Sequence, residues 1–258
     1  MLLQKAYVSI VDRSPPPDAI LSSPYVKFYK TDITELSELT AAVNGTVEWT
    51  SRTGAPLGGV INCAGVATAA KIIDAHGKPH SLDIWDFTIA VNLTGSFNLT
   101  RLVLEHLVKV DPESGMDGER GVVIFVSSAA AVSDSVFDDY STVNLFIINK
   151  LSQFEGQPGQ TAYAATKGAL GSMTLPLSRD LAQHAIRVVT IAPGVFDSNM
   201  TVNLPVKTRK SLENDLVYPK RFGQPDEFAR TLRWILDCPY VNGETIRLSG
   251  AGRLPGKL

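Results

Sequence analysis

The sequence predicts an α/β fold, a doubly wound parallel sheet covered by helices on both faces. Short apolar runs alternate along the 258 residues with longer segments whose apolar residues recur at helical spacing. Two runs, GVVIFVSS (121–128) and RVVTIAPG (187–194), are apolar without alternation, which is typical of strands buried on both faces. Strands that alternate with helices favour right-handed crossovers, and these build a parallel sheet within one domain.

The elements of the first half follow from local composition. AYVSIVD (6–12) is rich in β-branched residues and ends before the turn-forming RSPPPD, so we expect a strand. VKFYKTDIT (26–34) is a second strand, and ITELSELTAAVNG (33–45) is a helix closed by its final glycine. GGVINCAG (58–65) is a buried strand that runs into a turn of small residues.

The second half continues this alternation. A long helical pattern with Asn92 and Gly95 inside it precedes the first of the two fully apolar strands. The remaining predicted helices and strands are 81–110, 121–128, 161–186, 187–194, 225–237 and 243–250.

Charge and cysteine content exclude several classes of protein. The formal net charge is −2 and the basic residues are scattered, so no surface for nucleic acid is expected. No apolar run approaches the roughly 18 residues of a membrane span, and the first residues lack the form of a signal peptide. Cys63 and Cys238 have neither metal-ligand spacing nor a disulfide framework, which favours a reducing compartment, the cytoplasm or the mitochondrial matrix.

Tyr163 and Lys167 give the strongest indication of chemistry. Four positions apart on a helix, they lie on one face, so the ammonium can approach the phenol. A phenol has a pKa near 10, and proton exchange at neutral pH requires that value to fall by about two to three units. An adjacent cation favours the phenolate. The alternative is an ordinary solvated helix face that carries both residues.

Further polar or small residues follow predicted strands, at the sheet edge where open α/β folds bind ligands. Ser127 or Ser128 supplies a hydroxyl there, and NCAG (62–65) lets the backbone approach a ligand closely. Asn92 is an amide inside an apolar helix and needs a hydrogen-bond partner. The alternatives are a tight turn at NCAG, a structural role for Asn92 and a plain loop entry at PG (193–194).

Together and in this order, these residues resemble the short-chain dehydrogenase/reductase family, and the resemblance covers nearly the whole chain. The matching residues are NCAG (62–65), Asn92, VSS (126–128), YAATK (163–167) and PG (193–194). The resemblance implies a Rossmann-like domain that acts as an NAD-dependent oxidoreductase on a secondary alcohol or its ketone. It is strongest to members that act on 3-hydroxyacyl-CoA or hydroxysteroids, and the family usually forms dimers or tetramers.

The resemblance also implies a role for each catalytic position. Tyr163 would be the acid/base, and Lys167 would lower its pKa and bind the nicotinamide ribose. Ser128 would hold the substrate oxygen, and Asn92 would anchor a proton-relay water. The bound cofactor would carry the hydride, so these few polar groups suffice.

The implied cofactor site combines strand ends and loops. Asp12 ends the first predicted strand, where an acid binds the adenosine ribose hydroxyls and disfavours NADP, although Arg13 beside it weakens that preference. Asp32 would contact adenine, with a helix-capping acid as the alternative. Ser198 would hold the nicotinamide carboxamide. The full set is Asp12, Asp32, Asn62, Ala64, Gly65, Tyr163, Lys167, Pro193, Gly194 and Ser198, and no metal site is expected.

The start of the chain departs from the family pattern. The family fold opens with a strand, a Gly-rich turn and a helix, and no G-x-x-x-G-x-G precedes the strand at 6–12. The missing strand is central in the order 3-2-1-4-5-6, so its neighbours would have unpaired edges, at about 1–3 kcal/mol per orphaned group. We therefore expect the chain as written to bind NAD poorly and to be marginally stable.

A second departure separates the catalytic motifs. Ser128 and Tyr163 are 35 positions apart, whereas the family pattern has about a dozen. Removing residues 132–153 restores the family-like spacing. The segment begins VSD and ends in Gln, and the codons for these residues can contain splice-donor and splice-acceptor sequences. Our hypothesis is a translated intron, and the alternative is a surface insertion that forms a flap over the substrate.

Two functions therefore stay open at the level of sequence. One is the NAD-linked oxidoreductase, and the other is a catalytically impaired or non-enzymatic remnant that cannot bind the dinucleotide pyrophosphate. A Rossmann-type methyltransferase is disfavoured, since it would not require Tyr163, Lys167 and a strand-end serine together.

Overall fold

The structure, a computed structural model, is a layered α/β domain, as predicted. It describes residues 6–115, 117–128, 158–198, 201, 206–214 and 216–252. The strands are β1 (Val8–Asp12), β2 (Val26–Lys30), β3 (Gly59–Asn62), β4 (Gly121–Val126), β5 (Ile186–Pro193) and β6 (Thr245–Leu248). The α-helices are α1 (Asp18–Leu21), α2 (Leu36–Thr53), α3 (Leu82–Ile89), α4 (Ser96–Leu107), α5 (Thr161–Asp180), α6 (Val206–Asn214) and α7 (Pro225–Asp237).

The strands form two parallel sheets. β1 pairs with β2, while the larger sheet has the order β3-β4-β5-β6. Within the described residues, no strand pairs with the second edge of β1 or with the second edge of β3. The predicted parallel, doubly wound architecture is confirmed, and these two edges are the ones for which the sequence predicted no neighbour.

Helices join the two sheets into one layer. α2 packs against α4, and the Thr46 hydroxyl of α2 donates to the Ser9 hydroxyl of β1 at 2.9 Å. Ile33, just after β2, lies close to Gly95. A Cβ on Gly95 would be 2.8 Å from Ile33 Cγ1. The carboxyl ends of the small sheet therefore lie beside the start of α4.

The core forms on both faces of the larger sheet, because β4 alternates its side chains between them. Val123 and Phe125 pack with Leu170 of α5, and Val122 and Ile124 pack on the opposite face with α7. β4 and β5 are buried almost throughout, as their uninterrupted apolar runs predicted. These strands form a rigid support for the residues at their carboxyl ends.

Three local predictions need correction. Gly45 lies inside α2 rather than closing it. A glycine is needed at this position because a Cβ would lie 2.6 Å from Cε1 of the Tyr29 ring. Gly54, with φ of 71°, ends the helix instead. The long helix at 81–110 contains a π-helical turn, Ala90–Gly95, around Asn92.

Helices α1 and α6 were not predicted. α1 lies in the proline-rich segment that was expected to be a loop, and α6 lies in the polar segment before α7. The segment 132–153, with its intron and flap hypotheses, falls outside the described residues. In the part of the chain that is described, no helix is long and apolar enough to cross a membrane.

Candidate active site

Two cavities open at the carboxyl ends of the strands. The β1–β2 cavity, of about 630 Å³, is lined by Asp12, Arg13, Ser14, Lys30, Thr31, Asp32 and Glu38. The β3–β5 cavity, of about 450 Å³, lies beyond the larger sheet and contains most of the predicted catalytic residues. Both lie at the edge of the sheet at which the sequence predicted ligand binding.

Ser128 and Tyr163 meet in the β3–β5 cavity despite their separation in sequence. Ser128 follows β4, Tyr163 lies in the first turn of α5, and the Ser128 side chain hydrogen-bonds the phenol. Ser127 instead donates to the backbone carbonyl of Lys167 at 2.7 Å. Of the two serines left open by the sequence, Ser128 is therefore the one that contacts the tyrosine.

Lys167 lies one turn along α5 and is almost fully buried. Its Nζ donates to the Val126 carbonyl at 2.8 Å and lies 5.8 Å from the centroid of the Tyr163 ring. Burial lowers the pKa of Lys167 to about 8, and the nearby Cys63 thiol opposes that fall. The ammonium is thus held at the end of β4, beside the phenol.

The pKa of Tyr163 moves upward, opposite to the direction expected from the Tyr-Lys pair. Burial, which disfavours the phenolate, raises it, while the hydrogen bond from Ser128 lowers it in part. Desolvation of the thiol also raises the pKa of Cys63, although the residue as a whole is exposed where it lines the same cavity. The site therefore keeps its phenol and thiol protonated at neutral pH.

Asn92 holds the loop that borders the site. From the π-helical turn, its Oδ1 accepts from Val66 N at 2.7 Å and its Nδ2 donates to Val66 O at 2.8 Å. Nδ2 also lies 3.2 Å from Thr166 Oγ1 on α5. The amide is fully buried and lines neither cavity, so its side chain positions the loop after β3 against α5.

The NCAG residues divide between support and cavity. Asn62 is buried at the end of β3 and donates to Thr100 Oγ1 at 3.1 Å, and it lines neither cavity. Ala64 is half-buried, whereas Gly65 lines the β3–β5 cavity. A Cβ on Gly65 would lie 3.2 Å from Lys167 Nζ, so a side chain there would crowd the ammonium.

The loop after β5 forms the opposite wall. Pro193, Gly194 and Ser198 line the β3–β5 cavity, as expected, and Ser198 N donates to Thr201 Oγ1 at 2.8 Å. Sequence reasoning missed other lining residues, because no motif assigned them a role. These are Cys63, Val66, Ala67, Phe196, Asp197, Thr201, Pro225 and Phe228.

The predicted acids of the nucleotide site lie together in the β1–β2 cavity. Asp12 ends β1 and accepts from Ser14 N at 2.9 Å, and Asp32 lies 3.5 Å from Arg13 Nε. Asp32 accepts from the Thr34 backbone and hydroxyl, which lower its pKa, and it closes a local turn rather than capping α2. These two acids thus lie at the small sheet, whereas the other predicted cofactor-binding residues that line a cavity lie at the large one.

The chain is similar to curated dehydrogenases over most of its length. The mouse 3-hydroxyacyl-CoA dehydrogenase type-2 is 42% identical over 195 residues, which are 75% of this chain and 66% of that protein. The chain thus spans just under two thirds of that relative. The Drosophila melanogaster 3-hydroxyacyl-CoA dehydrogenase type-2 is 35% identical over 89% of this chain and 79% of its own length.

A solved structure and a family description complete the comparison. The crystal structure of 3-hydroxyacyl-CoA dehydrogenase type-2 from Mycobacterium avium superposes with a TM-score of 0.81 at 28% identity, covering 97% of this chain and 88% of that one. A sequence model described as short chain dehydrogenase matches residues 8–142 and 144–208. The resemblance inferred from the motifs is confirmed, and the chain belongs to the short-chain dehydrogenase family.

Proposed function

We propose that this chain is an NAD-dependent oxidoreductase that interconverts a secondary alcohol and a ketone, with a 3-hydroxyacyl-CoA as the substrate class. The observation that carries the proposal is the contact of Ser128 with Tyr163 beside the buried Lys167. Three polar groups converge on one cavity whose remaining walls are largely apolar. A substrate oxygen fits where the serine and tyrosine hydroxyls meet.

The side chains divide the proton chemistry between them. Tyr163, protonated because burial raises its pKa, gives its proton to the substrate oxygen during ketone reduction and takes it back during alcohol oxidation. Ser128 donates a hydrogen bond to the phenolate that this leaves. The Lys167 ammonium stabilises the same negative charge through the low-dielectric cavity.

The residues present fit both ends of a nicotinamide dinucleotide. When bound, such a cofactor supplies or accepts the hydride. The Asp12 carboxylate in the β1–β2 cavity suits the adenosine ribose hydroxyls, which favours NAD over NADP. Gly65, with no Cβ to approach Lys167, leaves that ammonium accessible to the nicotinamide ribose. Ser198 is assigned to the nicotinamide carboxamide.

A second candidate is a family member that does not bind the dinucleotide. The observation that favours it is the division of the sheet, since Asp12 ends a strand of the small sheet whereas Tyr163 lies on α5, which packs against the larger sheet. Such a protein would act by association with other chains. It would keep the fold and show neither cofactor binding nor turnover.

Tyr163→Phe decides between them. We expect the unmodified chain to form NADH from NAD and a 3-hydroxyacyl-CoA, as measured by absorbance at 340 nm. The variant is expected to lose at least 100-fold in kcat/KM, while its affinity for NADH stays within about threefold of the unmodified value. Loss of the acid/base hydroxyl leaves packing intact, because the ring stays. No NADH binding by calorimetry in the unmodified chain would favour the non-binding candidate.

A further inference from the structure

Both carboxylate oxygens of Asp197 are held by residues from other elements. Asp197 follows β5 and lines the β3–β5 cavity between Phe196 and Ser198. Arg209 Nη2, from α6, lies 2.6 Å from its Oδ1, and Gln224 Nε2, at the start of α7, lies 2.6 Å from its Oδ2. We call these three residues the Asp197 network.

The two partners of Asp197 are themselves fixed. Arg209 donates from Nε to Glu213 at 3.1 Å, and its guanidinium lies 4.5 Å from the centroid of the fully buried Phe222 ring. A planar guanidinium that stacks on a ring and binds two acids has little rotational freedom. Gln224 is the N-cap of α7 and forms a capping box with Glu227.

Backbone contacts tie the same wall to the start of α7. Asp197 N donates to Gly223 O at 2.8 Å, and Gly223 N donates to Val195 O at 2.9 Å. Within the wall, the buried Thr201 hydroxyl donates to Phe196 O at 2.8 Å. The Asp197 network therefore joins α6 and α7 to a short, internally bonded wall of the cavity.

We propose that Arg209 and Gln224 are positioning residues that act through Asp197 to fix this wall, and so determine how tightly the cavity holds its substrate. The inference rests on the proposed function, since it assigns Phe196 in this wall to substrate binding, whereas Ser198 in the same wall is assigned to the nicotinamide carboxamide. Ser128 follows β4, and Tyr163 and Lys167 lie on α5, so all three are outside the network. Loosening the wall therefore weakens substrate binding and leaves the chemical step unchanged.

Arg209→Met tests the proposal, because it keeps the apolar stem over Phe222 and removes the charge. The matched control is Arg230→Met, whose exposed partner Asp226 lies 2.9 Å away on α7. At saturating NAD, we expect Arg209→Met to raise the KM for 3-hydroxybutyryl-CoA at least fivefold with kcat within twofold. The control is expected to change neither value. A fall in kcat at unchanged KM, or an equal effect of the control, overturns the proposal.

A double-mutant cycle checks the route through Asp197. Asp197→Asn is expected to raise KM like Arg209→Met, and the double variant to be no worse than the poorer single variant. Arg209→Lys keeps the charge but not the planar, two-pronged guanidinium. Its KM is expected to lie between those of the unmodified chain and Arg209→Met. Additive effects of the two single changes overturn a shared role.

A thiol-labelling measurement separates failure of this inference from failure of the proposed function. Cys63 is exposed and lines the same cavity, so its rate of reaction with a bulky disulfide reagent, in a Cys238→Ser background, reports the room that the wall leaves beside the thiol. We expect at least a threefold faster rate in Arg209→Met and no change in Arg230→Met. An unchanged rate overturns the inference, whether or not the chain turns over a substrate.

Discussion

Replacing Lys167 with methionine is expected to stabilise the fold while removing activity. The lysine is only 4% exposed, and burial lowers its pKa from 10.5 to about 8. At neutral pH the side chain is still mostly protonated, so the folded state contains a desolvated ammonium. A shift of this size corresponds to about 3 kcal/mol of strain against the charged form.

The expected gain follows from that strain. Methionine fills a similar volume without a charge, and it loses the hydrogen bond from Lys167 Nζ to Val126 O, which contributes about 1 kcal/mol. The net expectation is about 2 kcal/mol of added stability at pH 7. The sign depends on pH, because the unfolded chain binds more protons than the folded one between pH 8 and 10.5, so stability rises with pH there.

Urea unfolding of both proteins at pH 7 and pH 9 measures the effect. Relative to Lys167→Met, the unmodified chain should gain about 1 kcal/mol between these two values. Both proteins carry Cys63→Ser in this comparison, because the raised pKa of Cys63 acts in the opposite direction and Cys63 is coupled to Lys167. A variant that is less stable at pH 7, with no dependence of the difference on pH, would refute a strained ammonium.

Four further substitutions test packing and placement. Gly45→Ala should cost about 1–3 kcal/mol in urea unfolding, because its Cβ meets an aromatic ring at 2.6 Å, whereas Gly168→Ala, which meets nothing within 4 Å, should gain about 0.5–1 kcal/mol from helix propensity. Glu119→Ala should cost about 3 kcal/mol, since it leaves the buried Arg187 without the partner now 2.8 Å away; a cost below 1 kcal/mol would place the pair among surface ion pairs. Gly95→Ala should raise the Kd for NADH about tenfold by displacing the small sheet, and an unchanged value in calorimetry would contradict that reasoning.

The meeting of Ser128 with Tyr163 beside Lys167 was predictable from the sequence, because it depends on strand ends and helix spacing. β4 and β5 are apolar throughout, so the place where each strand ends is readable, and so is the four-residue spacing of Tyr163 and Lys167. The direction of the Tyr163 pKa was not readable. It depends on burial of the ring in the folded chain, and burial outweighs the hydrogen bond with Ser128.

The missed features depend on contacts between distant segments. In sequence, Asp197 is 12 positions from Arg209 and 27 positions from Gln224, and no periodicity relates them. Gly45 ended a plausible helix pattern, and only the ring packed beside it explains a glycine in mid-helix. Local composition determines which elements form, while such contacts are set by how the elements pack.

The division of the sheet makes the two cavities depend on helix packing rather than on strand pairing. Asp12 belongs to the small sheet and Tyr163 to the layer over the large one, and within the described residues no backbone ladder joins β1 to β3. Their relative placement is carried by α2 against α4 and by Ile33 against Gly95. A ligand that reaches both cavities must bridge this junction, so its affinity measures how well the two sheets are aligned as well as the chemistry at either end.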